Sequence, residues 1–272
     1  MDSLTAVAIL LGGIVGLILA LTGAGGAIVA VPLLLFVLHL DVAEAAPLAL
    51  LAVGLSAGMG AIIGLRAGIV RYRAAGFIAL TGILSSPVGL WLAHRLPNGP
   101  LALLFAGVLA FVAIRMFMQA RGSDAKASAG SQHLPPCQLD VDSGRFLWTG
   151  PCAQALALSG IGAGFLSGLL GVGGGFVIVP ALRRATNAPM HAIVATSLTI
   201  ITLISLSGVV STALAGRMNW RVGVPFAAGA LFGMLGGRLI ARHLSGPRLQ
   251  QGFAVFAGII AVGMVAKVVL AA

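Results

Sequence analysis

Residues 16–32 read GLILALTGAGGAIVAVP, and residues 164–180 read GFLSGLLGVGGGFVIVP. The two stretches lie 148 residues apart, and each sets a glycine cluster in the middle of a long uncharged run. Glycine inside a helix is unfavourable relative to alanine, so a cluster used twice marks a purposeful break in the backbone. Paired Gly/Pro-interrupted segments in the two halves of a membrane protein are a pointer to a transporter binding site.

The offset holds well beyond the glycines. Leu50 matches Leu198, Tyr72-Arg73 matches Trp220-Arg221, Gly68 matches Gly216, Gly89 matches Gly237, and Phe105-Ala106 matches Phe253-Ala254. One ungapped offset across four segments reads as an internal duplication, residues 1–118 and 150–272, separated by a polar linker at 119–149. The linker holds Ser, Gly, Gln, Pro135-Pro136 and mixed charge, a composition that buries too little surface to order itself.

Composition places the chain in a bilayer. Of 272 residues, 59% are hydrophobic and 8% charged, where soluble domains carry about 25% charge. The net charge of +10 does not indicate nucleic acid, because the basic residues punctuate apolar runs instead of forming a stripe with aromatics. Met1-Asp2-Ser3 lacks the basic start of a signal peptide, so the first segment reads as mature protein. Cys137 and Cys152 lack metal-ligand spacing and read as incidental. Six uncharged stretches suit single crossings. The first of each half is too long for one, and reads as two short helices meeting at the glycines.

Charge orients the halves. If each first segment enters and leaves on one side, each half makes an odd number of crossings and the halves are inverted. With the linker inside, twelve of the 16 basic residues are then cytoplasmic, against ten for parallel halves. The positive-inside rule prefers the inverted arrangement. The expected fold is all-α integral membrane: two inverted-topology repeats, each a glycine-broken first segment plus three transmembrane helices.

The chemistry falls on few residues. A half-helix starting at each break presents free N–H groups and a positive dipole end, an anion site that glycine lets the backbone approach. Thr22, Gly23, Gly25 and Gly26, with Gly171, Gly173, Gly174 and Gly175, are the donors this reading selects. The plainer alternative, close helix packing, suits Gly12/Gly16 and Gly64/Gly68 well. Thr196 and Ser197 offer hydroxyls to a polar path, although such groups often bond their own helix backbone. Tyr72-Arg73 and Trp220-Arg221 read first as interfacial anchors and second as anion attractors. All six Asp and Glu and all five His lie outside the predicted membrane cores, so proton coupling through an intramembrane carboxylate is not supported.

The segment LLGVGGGFVIVP at 169–180, with its first-half copy and the later AIVATSL at 192–198, resembles the sulfite exporter TauE/SafE family. The first copy departs at Ala24 and Ala27. The resemblance spans nearly the whole chain and implies export of sulfite or a small organosulfonate across the bacterial inner membrane. The expectation is a secondary transporter working by alternating access, with a small anion and the lipid bilayer as partners and no cofactor, metal or nucleic acid. A homodimer is left open. The rivals are a permease for another small anion, a partner-dependent membrane subunit, and an intramembrane lipid phosphatase. The last needs a nucleophile and cationic groups converging at one depth, and the sequence offers no such cluster.

Overall fold

The computed structural model describes residues 3–22, 26–121, 137, 149–244 and 247–271. Most of the linker lies outside them, as do Gly23 to Gly25 of the first break. The described chain is all-helical: α1 Ser3–Thr22, α2 Gly26–Val37, α3 Val42–Arg66, α4 Tyr72–Arg95, α5 Asn98–Arg121, α6 Gly150–Leu170, α7 Gly175–Ala185, α8 Met190–Leu214, α9 Trp220–Leu244 and α10 Pro247–Ala271. In lipid a helix satisfies its backbone polar groups within the segment, which is why apolar sequence of this length resolves into helices. Six of them (α1, α3, α4, α6, α8, α9) are long and apolar enough to cross a membrane.

The offset of 148 survives in the helix boundaries, since Val42–Arg66 recurs as Met190–Leu214. It survives in the packing too. The main partner of α1 is α9, and that of α6 is α4, so each half lays its first helix on the other half's fourth. A Cβ on Gly16 would fall onto the Ala230 carbonyl, and one on Gly164 onto the Gly82 carbonyl, which are equivalent positions under the offset. Here the glycines do serve close packing, as small residues do between membrane helices.

Helices α3 and α8 are themselves equivalents and pack on each other. Gly54 faces Ser205, Gly58 faces Thr202, Gly60 faces Leu198 and Gly64 faces Ala195. Numbers rise along one helix as they fall along the other, so these two equivalents run antiparallel.

Two expectations are corrected. The broken segments are not pairs of short helices: α1 and α6 have 20 and 21 residues, whereas α2 and α7 have 12 and 11. At ~1.5 Å per residue α6 is ~30 Å long, a full crossing, and only its successor is half-length. The cysteines are not incidental either. Cys137 and Cys152 form a disulfide with Cα atoms 4.8 Å apart, and the Cys137 N–H donates to the Ala185 carbonyl at 2.9 Å. One linker residue therefore ties the start of α6 to the end of α7, and the two ends of that broken segment lie together.

Candidate functional site

The second break is built by backbone chirality. Helix α6 ends at Gly171 (φ 71°, ψ 23°), whose N–H donates to the Ser167 carbonyl at 2.8 Å. Gly173 (φ 67°) and Gly174 (φ 68°) are also left-handed. Three such residues in four positions need glycine, because a Cβ there crowds the following carbonyl. They fold the chain back until Gly174 meets α6 at Ala163, whose carbonyl oxygen would lie 2.7 Å from a Cβ on Gly174. Ala163 lies near the midpoint of α6, so α7 starts ~16 Å along that helix from Cys152.

The turn leaves donors unused. Val177 and Ile178 donate to the Gly174 carbonyl, at 3.0 and 3.2 Å, and open the hydrogen-bonding of α7. Among the described residues, the N–H groups of Val172, Gly173 and Gly174 meet no protein acceptor, and those of Gly175 and Phe176 meet none in good hydrogen-bond geometry. Residues 172 to 175 are buried. Buried N–H groups in folded proteins are nearly always paired, so a run of orphans at a helix start calls for a ligand or ordered water. The α7 dipole adds the equivalent of about half a positive charge at that point.

Helices α3, α6 and α8 wall the break. Gly171 lies against Ala46, and Gly173 against Val53, Ile201 and Ser205. Among the described residues, three buried hydroxyls on these helices have no hydrogen-bond partner: Ser56 (0% exposed), Ser167 (1%) and Ser205 (0%). Ser205 stands out because its neighbours on α8 do close on their own backbone. Ser197 donates to the Val194 carbonyl at 2.8 Å, Thr199 to Ala195 at 3.0 Å, Thr202 to Leu198 at 2.8 Å and Thr212 to Gly208 at 2.9 Å. Among the described residues, no group of three His, Cys, Asp or Glu side chains converges to suit a metal ion.

The sequence-selected residues divide. Gly171, Gly173, Gly174 and Gly175 come together at the second break. Gly26 opens α2 against Leu19, with a Cβ there 2.5 Å from the Leu19 nitrogen; Thr22 closes α1, and Gly23 and Gly25 lie outside the described residues. Thr196 accepts from the Arg71 N–H at 3.1 Å at the entry to α4, and Ser197 is held by its own helix. They stand ~6–8 Å along α8 from Ile201, on the side away from Ser205. Sequence reasoning missed Ser56, Ser167 and Ser205. The repeat gave no hint of Ser205, whose equivalent is Ala57.

A separate cavity of about 520 Å³ lies on α4, lined by Tyr72, Arg73, Gly76, Phe77 and Leu80. Tyr72, Arg73 and Leu80 are exposed, so it is an outward-facing groove and not the chamber around the glycine turn.

A multi-pass helical membrane protein, repeated and broken at glycine turns with unused donors, belongs among the membrane transporters. The family is defined by sequence: residues 8–264 match the model of the family described as sulfite exporter TauE/SafE, and the chain belongs to it. It is 31% identical over 239 residues to a "probable membrane transporter protein" of Xylella fastidiosa strain Temecula1, covering 86% of this chain and 84% of that one. It is 27% identical over 248 residues to "probable membrane transporter protein YunE" of Bacillus subtilis strain 168, covering 87% and 88% respectively. No solved structure matches it.

Proposed function

We propose that this protein is a secondary transporter that exports a small sulfur-containing anion, sulfite or an organosulfonate, across the bacterial inner membrane by alternating access. The run of buried, unpaired N–H groups from Val172 to Gly174 carries this reading, because it supplies an anion with donors and a positive dipole end without a fixed cation. Gly171, Gly173, Gly174 and Gly175 form the second-half site, and Thr22, Gly23, Gly25 and Gly26 its counterpart. Thr196 and Ser197 serve as path residues on the α4 side of α8.

Alternating access calls for halves that exchange roles. Antiparallel packing of the equivalent helices α3 and α8 supports inverted repeats. So does the Cys137 tie, since a first segment returning to its own side leaves three crossings and an odd count. The antiparallel pairing also gathers Arg66 at the end of α3 with Arg183 and Arg184 at the end of α7, on the linker side. The positive-inside rule makes that side cytoplasmic.

The test is sulfite flux in proteoliposomes holding this chain alone, wild type against Gly173→Leu and Gly174→Leu. Saturable flux lost in both variants, with the protein still folded, is the expected result. Unchanged flux in folded variants removes the site. No flux from folded wild type removes the self-sufficient transporter and favours the partner-dependent subunit.

A further inference from the structure

We infer that the break at the start of α7 selects a singly charged oxyanion, and that the Ser205 hydroxyl is the side-chain group that holds it; this rests on the anion-site reading above and names its charge state and its contact.

Two independent observations meet at one point. The backbone contributes a run of donors with no protein acceptor among the described residues. The side chain contributes Ser205 Oγ, fully buried and unpartnered, 3.1 Å from where a Cβ on Gly173 would lie. Serine on a membrane helix usually returns its proton to a carbonyl one turn back, as five hydroxyls on this helix do. Ser205 forgoes that bond and faces the glycine turn instead. A buried hydroxyl left unpaired is unfavourable, so its position is explained by a partner that arrives from outside the chain.

The charge state follows from what surrounds the turn. Residues 45–65, 151–182 and 192–216, which supply its walls, contain no Asp, Glu, Lys, Arg or His. The compensating charge is the α7 dipole, equivalent to about half an elementary charge. A monoanion there is offset by the dipole and by neutral donors. A dianion would keep more than one uncompensated charge in a low-dielectric wall, where each is strongly penalised. The hydroxyl fits this choice, because it donates to an anionic oxygen and also accepts from a protonated one. The favoured forms are hydrogensulfite and sulfonates, with sulfite dianion and sulfate rejected.

Methanesulfonate and sulfate share a tetrahedral sulfur–oxygen core and differ in charge, which makes them the probes. Their binding is measured calorimetrically on the purified full chain at matched ionic strength, for wild type, Ser205→Ala and Ser205→Thr. Methanesulfonate is expected to bind at least about tenfold more tightly than sulfate. Ser205→Ala should weaken it by about tenfold, while Ser205→Thr, which keeps the hydroxyl, stays within about threefold, as loss of one charge-assisted hydrogen bond predicts. Sulfate binding as tightly as methanesulfonate overturns the charge selection, and this comparison needs no variant to fold. Unchanged methanesulfonate affinity in Ser205→Ala overturns the contact. Sulfite flux from the same preparation separates the two readings: flux without these preferences leaves transport standing and removes this inference, and absence of both flux and binding removes both.

Discussion

Replacing Gly171 with alanine separates the two demands that the break makes on glycine, and Gly68→Ala is its internal control. Gly68 follows α3 at φ 67°, and a methyl group there would have nothing within 4 Å, so alanine meets only the left-handed backbone cost. That cost is about 1–2 kcal/mol. Gly171, at φ 71°, meets the same cost, and its Cβ would also fall on Ala46 of α3, with the Ala46 carbonyl oxygen at 2.8 Å. The obstacle is mostly helix backbone, which cannot rotate aside, so overpacking adds about 1–3 kcal/mol. Gly171→Ala should therefore lose about 2–5 kcal/mol against about 1–2 kcal/mol for Gly68→Ala. Gly173→Ala should fall between them, because its methyl would meet side-chain atoms of Ile201 and Ser205 at 3.1 Å that can yield by tenths of an ångström. Detergent-denaturant unfolding of the three purified variants beside wild type reads the order. If Gly171→Ala loses no more stability than Gly68→Ala, the close approach of the turn to α3 is wrong.

Three further outcomes follow from the packing. Thr196→Val removes the acceptor of the Arg71 N–H and should destabilise the protein by about 1 kcal/mol in the same unfolding assay; no loss would mean that bond contributes nothing at the start of α4. Gly164→Leu drives a side chain into the Gly82 carbonyl and should prevent α6 from seating on α4, seen as aggregation on size exclusion; a monodisperse, stable variant would contradict that interface. With the linker side cytoplasmic, the single variant Arg66→Cys at the exposed end of α3 should react in intact cells with a permeant maleimide but not with a charged, impermeant one. Labelling of Arg66→Cys in intact cells by the impermeant reagent would place the linker side outside.

The repeat and the second break were legible because glycine clusters in apolar sequence are rare and this one occurs twice at a fixed offset. The lengths of α1 and α6 were not. The glycines lie in mid-run, but the chain folds back beside α6 at Gly174, so a full crossing precedes each half-helix. Ser205 was invisible because its distinction is a hydrogen bond it does not make, and its repeat equivalent Ala57 carries no hydroxyl. Thr196 and Ser197 looked more prominent as an adjacent pair, yet one caps the entry to α4 and the other serves its own helix. The Cys137–Cys152 pairing depends on where the linker returns, which the 14 residues between the two cysteines do not specify.

The central claim is that a small anion rests at the start of α7. Selenite mimics sulfite and scatters anomalously, so an anomalous map of crystals soaked in it locates the ion directly. The account predicts a peak within hydrogen-bonding distance of the Gly173 to Gly175 N–H groups and Ser205 Oγ, lost on competition with sulfite. A peak confined to the Tyr72–Arg73 groove, with the glycine turn empty at saturating selenite, would contradict it.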